Sequence, residues 1–278
     1  MTDSPTQAPA QAPTPAPAEA IETAALRLAR AAASGVPCEP VRDLIGRDDL
    51  VAAYAVQNRG IAVHLEQGRT VVGRKIGLTS KAVQEQIGVD TPDFGWLLDD
   101  MSFGDGDAIP FGRVLQPRAE AEVAFVLKQD LAEGELDDAQ VRDAIDYAVA
   151  AIEVCGSRIA GWDISFADTV ADNASSGVFV LSGHRRTLEE FTPAEVSMSM
   201  RIDGDEVSTG TGAACLGDPI NAVAWLARYA RDFGEPLRAG QVLLSGALGP
   251  MRAITPGARV EVEIVGLGTV SATFPEEA

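Results

Sequence analysis

The stretch RAEAEVAFVLK, residues 118–128, decides how this chain is read. Valine and phenylalanine favour extended backbone, and successive side chains of a strand point to opposite faces. Ala119, Ala121, Val123, Phe125 and Leu127 then make one wholly apolar face. The other face starts with Glu120 and Glu122, about 7 Å apart along the backbone, and continues with Ala124 and Val126. Two carboxylates at the start of a strand buried on both sides repel each other and lose hydration unless a cation joins them. An edge strand with two solvated glutamates explains the local pattern equally well.

Working outward, the sequence predicts further strands on both sides. Upstream, TVVGRKIGL (70–78) puts Val72, Ile76 and Leu78 on one face and Gly73, Lys75 and Gly77 on the other. Ser80 is expected to cap a short helix, KAVQEQI, closed by Gly88. TPDFGWLLDDM (91–101) reads as a loop rich in bulky residues. Downstream, Asp137 or Asp138 caps a helix expected to run through Ala150 into the apolar strand AIEVC (151–155). The segment GWDISFADTVADNASSG (161–177) reads as a long, functional loop.

GVFVLSG, EVSMSMRIDGDEVS (a hairpin turning at Asp203-Gly204), QVLLSG, ARVEVEIVG and GTVSATF follow as strands, interrupted by one helix over Asp218–Phe233. Many strands without βαβ alternation predict an α+β fold, mixed and mostly antiparallel, across residues 70–278. Ahead of it, an N-terminal helical region (19–69) holds one helix over Glu19–Ala33. A second is capped by Asp48, aligns Leu50, Tyr54, Ile61 and Leu65, and ends at Gly68. Residues 1–18, rich in Pro and Ala, offer nothing to bury and read as a disordered tail.

Composition narrows the function. With 46% hydrophobic residues the 278-residue chain can bury a large core, yet no apolar run reaches bilayer length, so no membrane partner is expected. A net charge of −19 argues against nucleic acid, whose binding draws on clustered Lys and Arg. The first ionisable residues are Asp3, Glu19 and Glu22, which fits neither a secretory nor a mitochondrial leader, so a cytoplasmic location is expected. Cys38, Cys155 and Cys215 are widely spaced and read as reduced thiols. No Gly-rich phosphate motif follows a strand, and His64 and His184 read as surface residues.

Glu153 changes the weighing of the first pair. Its neighbours Ala151, Ile152 and Val154 place it inside the protein, where a lone glutamate needs a partner. That partner is either Arg158, in a structural ion pair, or a metal shared with Glu120 and Glu122. Three carboxylates make an all-oxygen set suited to Mg²⁺ or Mn²⁺. Lys75, flanked by glycines that admit a ligand, is read either as an acid–base group whose proton affinity burial has lowered or as a surface lysine. Asp93 alone reads as an ordinary turn aspartate.

Taken together, GRKIGLTSKAVQEQIGVDTPDFGWLLDDM, QPRAEAEVAFVL, IEVCGSRIAGWDISFADTVADNASSGVFVLSG and LGDPINAVAWLA resemble the 2-keto-4-pentenoate hydratases of the fumarylacetoacetate hydrolase superfamily. The resemblance covers roughly Asp48–Phe274. It implies the superfamily fold, homo-oligomers, a small 2-oxo acid substrate and a Mg²⁺ or Mn²⁺ cofactor. It also implies metal ligands at Glu120, Glu122 and Glu153, catalytic roles for Lys75 and Asp93, and substrate contacts at Ser175 and Thr79. Many relatives carry an acidic residue where Gly156 stands.

The reaction so implied hydrates 2-hydroxypenta-2,4-dienoate to 4-hydroxy-2-oxopentanoate in meta-cleavage degradation of aromatic compounds. Decarboxylation of 2-oxo-3-hexenedioate on the same scaffold is the alternative, and a complex with such a decarboxylase is a further expectation. Acylpyruvate hydrolysis ranks third, for want of a well-placed histidine, and a non-catalytic partner subunit fourth. A dicarboxylic substrate needs a cation or several hydrogen-bond donors at its far end, and a cation would be the simplest. Residues 82–112 contain none, which leaves Arg113, Arg118 and Arg158 to supply it from elsewhere.

Overall fold

The computed structural model describes residues 16–80, 84–85 and 89–276. The tail up to residue 15 and most of the helix expected after Ser80 lie outside the described residues. Three helices lead: α1 (Ala18–Ser34), α2 (Arg42–Ile45) and α3 (Leu50–Glu66). Gly35 ends α1 in the left-handed conformation, φ 70°. Asp49, one residue later than expected, caps α3 by accepting from the Ala52 amide at 2.9 Å.

The expected α3 stripe holds only in part. Tyr54 and Ile61 are buried, but Leu65 is exposed, and Ala52, Ala53, Val56 and Gln57 fill the inner face instead. This helix packs against both α1 and a later helix, and small residues let two neighbours approach. No helix among the described residues is long and apolar enough to cross a membrane.

An eight-stranded sheet follows. Its strands are β1 (Val71–Gly77), β2 (Asp93–Leu98), β3 (Ser102–Gly104), β4 (Arg118–Leu127), β5 (Ile145–Cys155), β6 (Val178–Leu181), β9 (Val242–Ala247) and β10 (Arg252–Ala253). Their order is β2-β1-β9-β4-β5-β6-β3, with β10 also on β4. Only β1/β9 and β3/β6 run parallel. A second, antiparallel sheet has the order β12-β11-β7-β8, built from β7 (Ser197–Ile202), β8 (Asp205–Thr211), β11 (Arg259–Ile264) and β12 (Gly268–Thr273). The β7–β8 hairpin turns at Asp203 and Gly204, both at positive φ, as expected from the Asp-Gly pair. The fold is therefore mixed α+β and mostly antiparallel, as the sequence predicts.

β4 matches its reading closely. Ala119, Ala121, Val123, Phe125 and Leu127 are all at most 2% exposed and face the main core. Three expectations are corrected. Residues 93–98 form a strand, because they lie buried beside β1, where backbone polar groups need partners. The helix starting after Asp137, α4 (Asp138–Ala144), stops six residues early, and Ile145–Ala150 extend β5 so that it pairs along the whole of β4. The expected loop 161–177 contains a helix, α5 (Phe166–Ala171), started by a capping box in which Ser165 and Asp168 bond each other's backbone amides. The remaining helix, α6 (Pro219–Asp232), carries the expected Asp218 cap.

Candidate active site

The antiparallel pairing of β4 with β5 sets Glu120 directly opposite Glu153, and Glu122 opposite Ala151. Side chains two apart share a face, so Glu120, Glu122, Glu153 and Cys155 project to the same side of the sheet. Glu122 and Glu153 are essentially inaccessible, and Glu120 is partly buried. Glu122 Oε2 accepts from the Gly246 amide at 2.8 Å, while its Oε1 has no partner.

Lys75 reaches this group from β1. Its Nζ lies 3.1 Å from Glu153 Oε1 and donates to the Ala174 carbonyl at 3.0 Å. The contact with Glu153 is an ion pair without hydrogen-bond alignment, and neither Glu153 oxygen accepts a hydrogen bond. At 3% exposure Lys75 is not a surface lysine. Glu153 does not pair with Arg158, whose guanidinium is held by Asp172 and by the Ser176 carbonyl at 2.6 Å.

Asp93 opens β2 opposite Gly77, and it is buried, with Oδ1 unpartnered. Gly77 makes this possible, since a β-carbon there would stand 2.2 Å from Asp93 Oδ1. Asp93 is thus a buried strand residue close to Lys75 and not an ordinary turn aspartate.

The turn Asn173–Ser175 completes the wall facing Lys75. All three residues sit at left-handed φ, 55°, 50° and 53°. Such backbone is costly for residues other than glycine. It is held by a reciprocal clamp, the Trp96 amide donating to Asn173 Oδ1 and Asn173 Nδ2 donating to the Trp96 carbonyl. The strained turn aims the Ala174 carbonyl at Lys75. Gly95 lets it approach, because a β-carbon there would be 2.4 Å from the Asn173 carbonyl oxygen.

Ser175 is buried beside that carbonyl, its hydroxyl 3.1 Å from Thr169 Oγ1. Thr79 lies at the opposite end, buried against Gly246, the residue that anchors Glu122.

The electrostatics follow from burial. Burial, reinforced by the Glu153 charge, raises the Glu120 carboxyl to about 7. Burial, then Glu153 and Glu120, push Glu122 well above the usual carboxylate range. Asp93 rises to about 6, through burial, although Lys75 opposes the shift. Burial alone would weaken the Lys75 ammonium, as the sequence reading expects, but the surrounding acids outweigh it and hold the proton more tightly than usual. Fully ionised, four carboxyls facing one ammonium would carry excess negative charge, and three of them are pushed toward holding protons. Glu122 Oε1 and Glu153 Oε2, which accept no hydrogen bond, and that potential charge fit a divalent cation bound by oxygen.

Sequence reasoning missed Cys155, whose Sγ lies 3.8 Å from Glu120 Oε2 and 4.0 Å from Lys75 Nζ. The signal was present, since Cys155 follows Glu153 by two residues on one strand. It also missed the Gly246 amide and the Ala174 carbonyl, which depend on distant segments meeting. Gly156 leaves no room for a larger residue in this structure, because a β-carbon would be 2.2 Å from Val114 Cγ1.

Residues 64–275 match the family described as fumarylacetoacetate (FAA) hydrolase C-terminal. The chain belongs to this family. Within it, the chain is 51% identical over 253 residues to a 2-keto-4-pentenoate hydratase of Paraburkholderia xenovorans, covering 91% of this chain and 94% of the relative. It is 52% identical over 255 residues to a TodF product hydratase of Pseudomonas putida, covering 92% and 95%. Among solved structures it is similar to a 4-oxalocrotonate decarboxylase from Pseudomonas putida G7 complexed with magnesium and adipate. That likeness has a TM-score of 0.87 at 34% identity and covers 92% of this chain and 97% of the other.

Proposed function

We propose that this protein is a divalent-metal-dependent hydro-lyase that hydrates 2-hydroxypenta-2,4-dienoate to 4-hydroxy-2-oxopentanoate. The observation that carries the reading is the near-full-length identity of about half to hydratases, against 34% to the decarboxylase. The arginines that a dicarboxylic substrate would need are occupied elsewhere. Arg113 bonds Asp100 at 2.8 Å, Arg158 is held by Asp172, and Arg118 lies over the Trp162 ring.

In this reading Glu120, Glu122 and Glu153 hold Mg²⁺ or Mn²⁺, which when bound supplies Lewis-acid polarisation of the 2-oxo acid. Lys75 and Asp93 move the protons. Ketonisation takes the proton from the C2 hydroxyl and places one at C5, giving the α,β-unsaturated ketone. Water then adds its oxygen at C4 and a proton at C3. The Asp93 carboxyl, at about 6, can both take and return a proton near neutrality, while the Lys75 ammonium donates. Thr79 and Ser175, at either end of the carboxylate group, are the proposed substrate contacts. Action in the cytoplasm, homo-oligomers and a complex with a related decarboxylase belong to the same proposal. Mass measurement of the protein alone and mixed with such a decarboxylase tests the last two.

The deciding experiment gives the purified protein each substrate with Mg²⁺ or Mn²⁺ and identifies the products. Loss of the dienol's ultraviolet absorbance with formation of 4-hydroxy-2-oxopentanoate is expected. Carbon dioxide released from 2-oxo-3-hexenedioate faster than the dienol is hydrated would overturn the hydratase.

A further inference from the structure

Cys155 has no place in the reaction above, yet it stands inside the carboxylate group. Its Sγ, a Glu120 oxygen and a Glu153 oxygen lie within 4.8 Å of one another, close enough to converge on one ion. Glu122 is not in that set; its Oε2 accepts from the Gly246 amide. Glu153 Oε2, in a residue only 1% exposed, accepts no hydrogen bond. Among the described residues the centre therefore brings together two carboxylates and a thiol, a set that shares Glu120 and Glu153 with the proposed three-carboxylate one.

We propose that Cys155 is an alternative metal ligand, so that thiophilic ions such as Cd²⁺ and Zn²⁺ bind here through Glu120, Glu153 and Cys155. The inference rests on the metal reading of Glu120 and Glu153. Hard ions such as Mg²⁺ and Mn²⁺ take oxygen and leave the thiol protonated, whereas softer ions favour thiolate sulfur. Binding breaks the Sγ–H bond, forms a sulfur–metal bond and releases the proton to the buffer, with no change of oxidation state. A thiophilic ion held this way competes with Mg²⁺ for the same two carboxylates.

The test titrates metal-free protein with Cd²⁺, following the thiolate-to-cadmium charge-transfer absorption, and separately with Mn²⁺ by calorimetry. The absorption is expected in the wild type and in the Cys38→Ser/Cys215→Ser variant, which keeps Cys155 as its one thiol. It should vanish in Cys155→Ser, with Cd²⁺ affinity falling at least about tenfold and Mn²⁺ affinity changing less than about threefold. An absorption that survives Cys155→Ser, or a proportional fall in both affinities, overturns the proposal. If Cys155→Ser does not fold, the other variant decides alone, and no absorption there overturns it. Mn²⁺ failing to bind the wild type would sink the metal-dependent hydratase reading, while the Cd²⁺ absorption still decides the role of Cys155.

Discussion

Changing Asp93 to Asn in the metal-free protein should flatten the dependence of stability on pH. The carboxyl titrates near 3.8 in an unfolded chain and near 6 when folded, raised chiefly by burial. Between those values the folded state holds a proton that the unfolded state has lost, so stability declines as pH rises through this window. Above about pH 7 the decline from this group is complete. A difference of about 2 pH units, at about 1.36 kcal/mol each, makes the loss on the order of 3 kcal/mol. Asn cannot ionise and has no such term, so the variant should hold its stability better from pH 4 to 7. Urea unfolding in chelator, at matched protein concentration, gives the comparison at each pH. Other carboxyls titrate in the same range, and for that reason the difference between the two proteins is the quantity read. Parallel profiles would show that Asp93 does not carry a raised pKa, and would also remove it as the group that trades protons near neutrality.

Glu120→Gln, Glu122→Gln and Glu153→Gln should each abolish tight divalent-ion binding by calorimetry, and Glu122→Gln should raise the metal-free unfolding midpoint at pH 8; undiminished binding in any variant removes that residue from the ligand set. Lys75→Met should lower kcat by about 10²–10⁴-fold while Mn²⁺ still binds, and near-normal kcat would end its role as proton donor. Asp168 is fully buried and accepts from the Val41 and Arg42 amides and the Arg42 guanidinium, which tie α2 to α5. Burial would raise its carboxyl, but these bonds and those from Ser165 lower it, so its stabilisation is present at neutral pH and lost as pH falls. Asp168→Ala should destabilise by about 3 kcal/mol at pH 7, and an unchanged unfolding midpoint there contradicts this.

What the sequence discloses depends on whether a signal is local. β4 is legible because its period of two survives over ten residues and both faces are distinctive. β5 is legible only at its end, since the residues before Ala151 suit a helix by composition and become strand through pairing with β4. β2 is hidden for a similar reason: its bulky residues show no clean alternation, and its partner lies about twenty residues away along the chain. The α5 capping box was written in Ser165 and Asp168 and is a local signal left unread.

The site divides along the same line. Strand period puts Glu120 beside Glu122 and Lys75 between glycines, and apolar neighbours bury Glu153. The pattern alone leaves a solvated edge strand, a surface lysine and an ion pair to Arg158 as open readings, and only the family resemblance chooses among them. The charge state of Lys75 does not follow from the pattern, because it is set by acids from three other strands that only the sheet order brings together. Burial by itself favours a neutral amine; the surrounding carboxyls reverse that preference. The same grouping raises Glu120, Glu122 and Asp93, so the features that make the centre unfavourable without a cation are also those on which the proposed metal binding and proton transfer rest. A sheet with apolar side chains in place of these charged ones would be more stable and would have no such chemistry.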